Sequence, residues 1–222
     1  MKRSAELQKI LLKIGLSYQQ DIGTLPEYIV DNGFLLFSSF HVQKQHVLLS
    51  CFKNVFMGDF KGFHLFFSDF NSDYSIDDNA QGYKQTIAVL QSTSFSLPRL
   101  CLLPKSTERF TVKLDHFGQD FMLPIFKGYK KRPFPGHPRL KRKYTLKSPE
   151  LPAPEKLLSM SFVKYLDDHP GWFMEGNNNA LLLYRRGRKI KPSDIYEFIG
   201  DAVEIGRLLT VNTRKSSMGY RR

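Results

Sequence analysis

The chain is poor in cysteine, has no long hydrophobic run, and has no acidic residue where its positive charge is densest. Only Cys51 and Cys101 occur in 222 residues. Each sits in an apolar run (Leu48-Leu49-Ser50-Cys51-Phe52 and Leu100-Cys101-Leu102-Leu103), where a thiol behaves as a small hydrophobe. This argues against a disulfide framework and against a cysteine metal site. No stretch approaches the roughly 18 to 20 apolar residues of a membrane span. Residues 1–18 also lack the continuous apolar core and small-residue cleavage site of a signal peptide. The expected location is therefore cytoplasmic, including the inner face of the membrane. Neither G-x-x-x-x-G-K-[ST], G-x-G-x-x-G nor G-x-S-x-G occurs, so the common phosphate loops and the nucleophile elbow are missing.

What the chain does have is localised charge. Lys and Arg number 33 against 21 Asp and Glu, a formal net charge of +12. Nine of the basic residues fall within 127–147, which contains no carboxylate, and four more lie in the tail 213–222. The remainder holds 20 basic against 21 acidic residues, so the body of the protein is nearly neutral.

With 41% hydrophobic residues, 19 Phe and 10 Tyr, the composition is that of a folded protein leaning towards strands. Leu7, Ile10, Leu11 and Ile14 fall on one face of a helix within residues 1–20. The runs 34–40 (FLLFSSF), 46–58, 63–70, 83–92, 97–104 and 109–115 read as strands, with Gly58 to Gly62 punctuating a hairpin. Pro133, Pro135, Pro138 and Pro149 discourage regular structure before Leu140. Read as a strand, residues 140–146 place Leu140, Arg142, Tyr144 and Leu146 inward and Lys141 and Lys143 outward. A helix over 154–168, a hairpin over 172–184 turning at 176–179, and a helix from Ser193 or Asp194 to Leu209 follow. The expected architecture is one α+β domain with a mainly antiparallel sheet, an N-terminal helix, and two C-terminal helices flanking a hairpin. Its parts are the helix at 1–20, a strand-rich part at 34–150, a helix-hairpin-helix part at 151–211 and a flexible basic tail at 212–222.

Several stretches carry a family likeness: the Gly58 to Gly62 turn leading into FHLFFSDFNSDY, the pair Gln85-Thr86, LPRLCLLP at 97–104, FPGHPRLKRKYTLKSP at 134–149, and ALLLYRRGRKIKPSDIYEFIGDAVEIG. On these the chain resembles a family of uncharacterised bacterial proteins, in many of which a domain of this kind follows one or two transmembrane helices. The resemblance spans most of the chain from about Phe34. It implies an architecture and supplies no catalytic residues.

Three kinds of chemistry are worth weighing. Asp69, Asn71, Asp73 and Asp77 alternate as in the first half of a calcium loop, but Tyr74 stands where the turn needs Gly and Ala80 where a bidentate Glu should close the site. No metal is expected there, and no cofactor elsewhere. The six histidines match no ligand spacing. The basic residues remain: Lys127, Lys130, Lys131, Arg132, Arg139, Lys141 and Lys143, with Arg185, Arg186 and Arg188 as a second turn. Interleaved with Tyr129, Phe134 and Tyr144, they suit an anionic partner, either an anionic membrane surface or an acidic protein. A nucleic-acid backbone is the alternative, and an enzyme of unrecognised class, assembled from distant carboxylates, is a second.

Overall fold

The apolar run at 63–67 lacks alternation because both its faces are buried. The computed structural model describes residues 2–38, 45–72, 83–105, 128–134, 136–149 and 158–218. In it this run opens β3 (Phe63–Ser72), inside a nine-stranded sheet. Leu65 and Phe67 enter one core layer, Phe66 and Phe70 the other. Strand β4 (Tyr83–Gln91) divides Ala88 and Leu90 from Ile87 and Val89 in the same way. Burying such side chains supplies most of the driving force, about 1.5–3 kcal/mol for each large one.

The remaining strands are β1 (Ser17–Gln19), β2 (Phe52–Phe60), β5 (Leu97–Pro104), β6 (Lys130–Arg132), β7 (Tyr144–Ser148), β8 (Phe173–Asn178) and β9 (Ala180–Tyr184). The order is β1-β2-β3-β4-β9-β8-β5-β7-β6, with every neighbouring pair antiparallel. The fold is thus α+β and mainly sheet. The β8–β9 hairpin inserts between β4 and β5. Lys61 (φ 49) and Gly62 (φ 84) join β2 to β3 between the paired Phe60 and Phe63, a two-residue turn whose positive φ values match the twist of the strands.

One face is covered by α1 (Lys2–Leu11), and by two further helices named below; the other by α2 (Glu27–Val30), α3 (Leu35–Ser38) and α4 (Gln45–Cys51). A short α5 (Pro138–Lys143) links β6 to β7. The first face is completed by α6 (Met160–Asp168) and α7 (Ile195–Met218), where Ile195, Phe198, Ile199, Ala202, Ile205 and Leu209 form the expected buried stripe.

An ion pair between the half-buried Arg3 and the fully buried Asp69 fastens α1 to the sheet. Arg3 donates from Nε and Nη2 to the two Asp69 oxygens at 2.7 Å each, and from Nη1 to the Ile190 carbonyl at 2.7 Å. Asn54 and Thr86 each donate to Asp69 at 2.9 Å. Burial pushes the Asp69 carboxyl up. The hydrogen bonds from Arg3, Asn54 and Thr86 and the Arg3 charge outweigh it and hold the group below the usual carboxylate range.

Several boundaries differ from expectation. The first helix stops early because Gly15 (φ 86) closes the 3-10 turn Leu12–Ile14 and sends the chain into β1. The run FLLFSSF is helical at Leu35–Ser38: Phe34 and Phe37 share one face at a three-residue spacing, and Phe37 packs on Phe52 and Phe70 at 5.5 and 5.4 Å. Residues 45–51 are helical too, and the strand starts at Phe52. Instead of a strand from Leu140, Pro138 opens α5 and Tyr144 begins β7, so Arg142 points to solvent. Helix α6 starts at Met160, capped by the Ser159 hydroxyl accepting from Phe162 N at 3.2 Å. The expected start at Pro154, and the strand at 109–115, lie outside the described residues. The last helix continues past Leu209 to Met218, where a flexible tail was expected from 212.

Candidate anionic-partner surface

The basic segment is anchored from inside. Leu140 and Tyr144 are buried at either end of the last turn of α5, and the Tyr144 hydroxyl accepts from Gly171 N at 3.0 Å. With those two fixed, the intervening and flanking positions face outward: Arg139, Lys141, Arg142 and Lys143 are all exposed. Immediately before α5, the chain forms β6, the terminal strand of the sheet. Its Lys130 pairs with Ser148, Lys131 with Lys147 and Arg132 with Leu146. Lys130 and Lys131 are exposed and Arg132 is half-buried. Terminal strand and helix therefore hold six of the expected site residues at one end of the sheet, and add Arg142.

Part of this charge has a structural use. Lysines on a terminal strand discourage a second chain from adding to it, and cations in the last turn of a helix suit its dipole. Neither accounts for Arg139. Among the described residues an acid reaches the cluster: Asp167 Oδ1 lies 2.6 Å from Lys143 Nζ. Its carboxyl is held below the usual range by the hydrogen bond from Lys143, with the charges of Lys143, Arg139 and Arg142 adding to it.

The second turn stands apart. Arg185 lies over the Trp172 ring at 4.8 Å and faces Asp201 at 3.6 Å, while Trp172 stacks on Phe198 at 5.0 Å. The Arg185 guanidinium is thus half-buried and engaged within the fold. Arg188 donates its N–H to the Arg185 carbonyl and accepts from Thr86 N of β4, at 3.1 Å each. Five strand spacings separate β4 from β6, roughly 24 Å at about 4.8 Å each. Arg186 shares that turn, with Gly187 N donating to Gln85 Oε1 at 3.1 Å. The structure does not join Arg185, Arg186 and Arg188 to the first cluster. Lys127 lies outside the described residues.

Half of the calcium-like pattern lies within the described residues. Asp69 is fully buried in the Arg3 pair, Asn71 lies on β3, and Asp73 and Asp77 fall outside the described residues. Among the described residues no group of three or more His, Cys, Asp or Glu is placed to hold a metal. Both cysteines are buried; burial, then the nearby Glu175 charge, pushes the Cys101 thiol up, away from the nucleophilic thiolate. Glu175 itself, buried on β8, accepts from Leu36 N at 3.2 and 3.3 Å and from the Tyr184 hydroxyl at 3.1 Å. No spacing in the sequence signalled the contact with Leu36, which lies 139 residues from Glu175.

No helix among the described residues is long and apolar enough to cross a membrane. The fold is similar to the crystal structure of the mycobacterial trehalose monomycolate transport factor A, TtfA, with a TM-score of 0.56 at 11% identity, over 95% of this chain and 94% of that one. At that identity the likeness is one of fold. No protein-family model and no curated protein matches the chain.

Proposed function

We propose that this chain is a non-catalytic interaction domain whose β6–α5 end seats on an anionic membrane surface. The observation that carries the reading is the outward display of Arg139, Lys141, Arg142 and Lys143 beside the exposed Lys130 and Lys131, with Asp167 as the acid held among them. Four of these six are lysines, compact point charges on flexible stems, which suit a diffuse layer of headgroups better than a planar bidentate ligand. Each basic residue near an anionic leaflet contributes about 1 kcal/mol. Six of them give about 6 kcal/mol as an upper bound, a dissociation constant on the order of tens of micromolar. The fold is similar to that of a mycobacterial transport factor, which is compatible with work by contact.

Flotation with vesicles tests the proposal. The full chain should float with vesicles containing phosphatidylglycerol and not with pure phosphatidylcholine. Reversing Lys130, Lys131, Arg139 and Lys141 to Glu should abolish flotation while leaving the unfolding temperature nearly unchanged. Equal flotation of that variant with the anionic vesicles would place the contact elsewhere and refute the assignment.

A further inference from the structure

The opposite chemistry gathers at one end of the strands, between α2, the β4–β5 connection and the β8–β9 turn. A cleft of about 740 Å³ lies there, lined by Glu27, Tyr28, Asp31, Asn32, Gln91 and Asn179 among others. None of its described lining residues is basic, in a chain whose net charge is +12. Asn32 is 4% exposed. Its Nδ2 donates to the Tyr28 carbonyl at 2.6 Å and to Asn179 Oδ1 at 3.4 Å, and its carbonyl accepts from Asn177 Nδ2 at 2.8 Å. Among the described residues, that leaves Asn32 Oδ1 without a hydrogen-bond partner, and the buried Tyr28 hydroxyl without one as well.

We infer that this cleft binds a neutral polyhydroxylated ligand of the carbohydrate class. The inventory is mixed: an orphan amide acceptor, an orphan phenol that can give and take, two carboxylates, and amides able to do both. A hydroxyl group, donor and acceptor at once, satisfies such a set. An anion would meet Glu27 and Asp31 as like charges, and a cation would leave the Tyr28 proton without an acceptor. Burial pushes the Tyr28 hydroxyl well up from its ordinary range, so it stays protonated and able to donate. The space exceeds that of a single hexose, so the cleft admits a disaccharide. The inference stands apart from the basic surface, on a different part of the molecule.

The test is titration of the full chain with maltose, glucose and myo-inositol, followed by amide NMR, with spermidine and inorganic phosphate as charged controls. At least one hydroxylated probe should give saturable shifts confined to residues 27–32, 91–96 and 178–179. Tyr28→Phe separates a ligand-directed hydroxyl from a structural one. It removes an orphan group, so the unliganded variant should melt at or above the wild-type temperature while binding the probe about tenfold more weakly, the loss of one hydrogen bond. Asp31→Asn should weaken binding without unfolding. Saturation by spermidine or phosphate alone, no saturable shift with any hydroxylated probe, or a lower melting temperature for Tyr28→Phe with unchanged binding would each overturn the inference.

Discussion

Arg3→Ala is the sharpest test of how the sheet is held to its N-terminal helix. The substitution removes three hydrogen bonds at 2.7 Å and leaves Asp69, with no exposed side-chain surface, without its counter-charge. Breaking a buried pair on one side costs about 3–5 kcal/mol. Asn54 and Thr86 still donate to the carboxylate, so the lower end applies, about 3 kcal/mol. For a chain of this size that is a fall of about 6–12 °C in melting temperature. The pH dependence carries the signature. In the wild type the folded Asp69 pKa is depressed, so its stabilisation is complete above the unfolded value near 3.9 and is lost as pH falls through the folded value. Without Arg3, burial is opposed only by the Asn54 and Thr86 hydrogen bonds, so the folded pKa rises relative to the wild type, and the deficit is largest at neutral pH and shrinks as Asp69 takes up a proton. Urea unfolding at about pH 7 and pH 4.5 measures both, within the range where linear extrapolation holds. A deficit below about 1 kcal/mol, or one independent of pH, would refute the view that Arg3 neutralises a buried charge.

Three further outcomes follow from the geometry. Gly206→Ala places a Cβ 2.8 Å from Leu90 Cδ1 and 3.2 Å from the Phe63 ring; overpacking of about 1–3 kcal/mol should exceed the helix-propensity gain of about 1 kcal/mol and lower the melting temperature. A rise would mean the α7–β4 contact is looser than described. Cys51 and Cys101, both buried, should resist a thiol reagent in the native protein and react only after denaturation; rapid native labelling would contradict their place in the core. Asp167→Asn removes the acid beside Lys143. It should leave the melting temperature nearly unchanged, as for a surface pair, and should strengthen attachment to anionic vesicles, where weaker attachment would count against the proposed surface.

The sheet was legible where burial is one-sided or complete over several residues. Residues 63–70, 83–92 and 97–104 emerged as strands with their bounds nearly right, because β-rich apolar runs have few other uses. The short helices over the second face were not legible. Phe34 and Phe37 fit a strand face or a helix face equally well over so few residues, and packing against Phe52 and Phe70 decides it. The basic segment was visible as composition, since charge needs no alignment of partners. Its geometry was not: one proline at the first helical position turned the supposed strand into α5 and moved Arg142 from the inside to solvent. Pairings such as Arg3 with Asp69, 66 residues apart, and the cleft shared by residues 27–32 and 178–179 arise only from topology.

The central claim is that the β6–α5 end meets an anionic membrane surface. The measurement that tests it most directly is a salt titration of the full chain on phosphatidylglycerol vesicles, with duplex DNA and single-stranded RNA in parallel. The claim predicts salt-sensitive vesicle binding that falls steeply between low and physiological ionic strength as screening shortens from about 30 to about 8 Å, with the quadruple Glu variant losing it. Tighter binding to either nucleic acid than to vesicles, or no salt-sensitive vesicle binding, would contradict it.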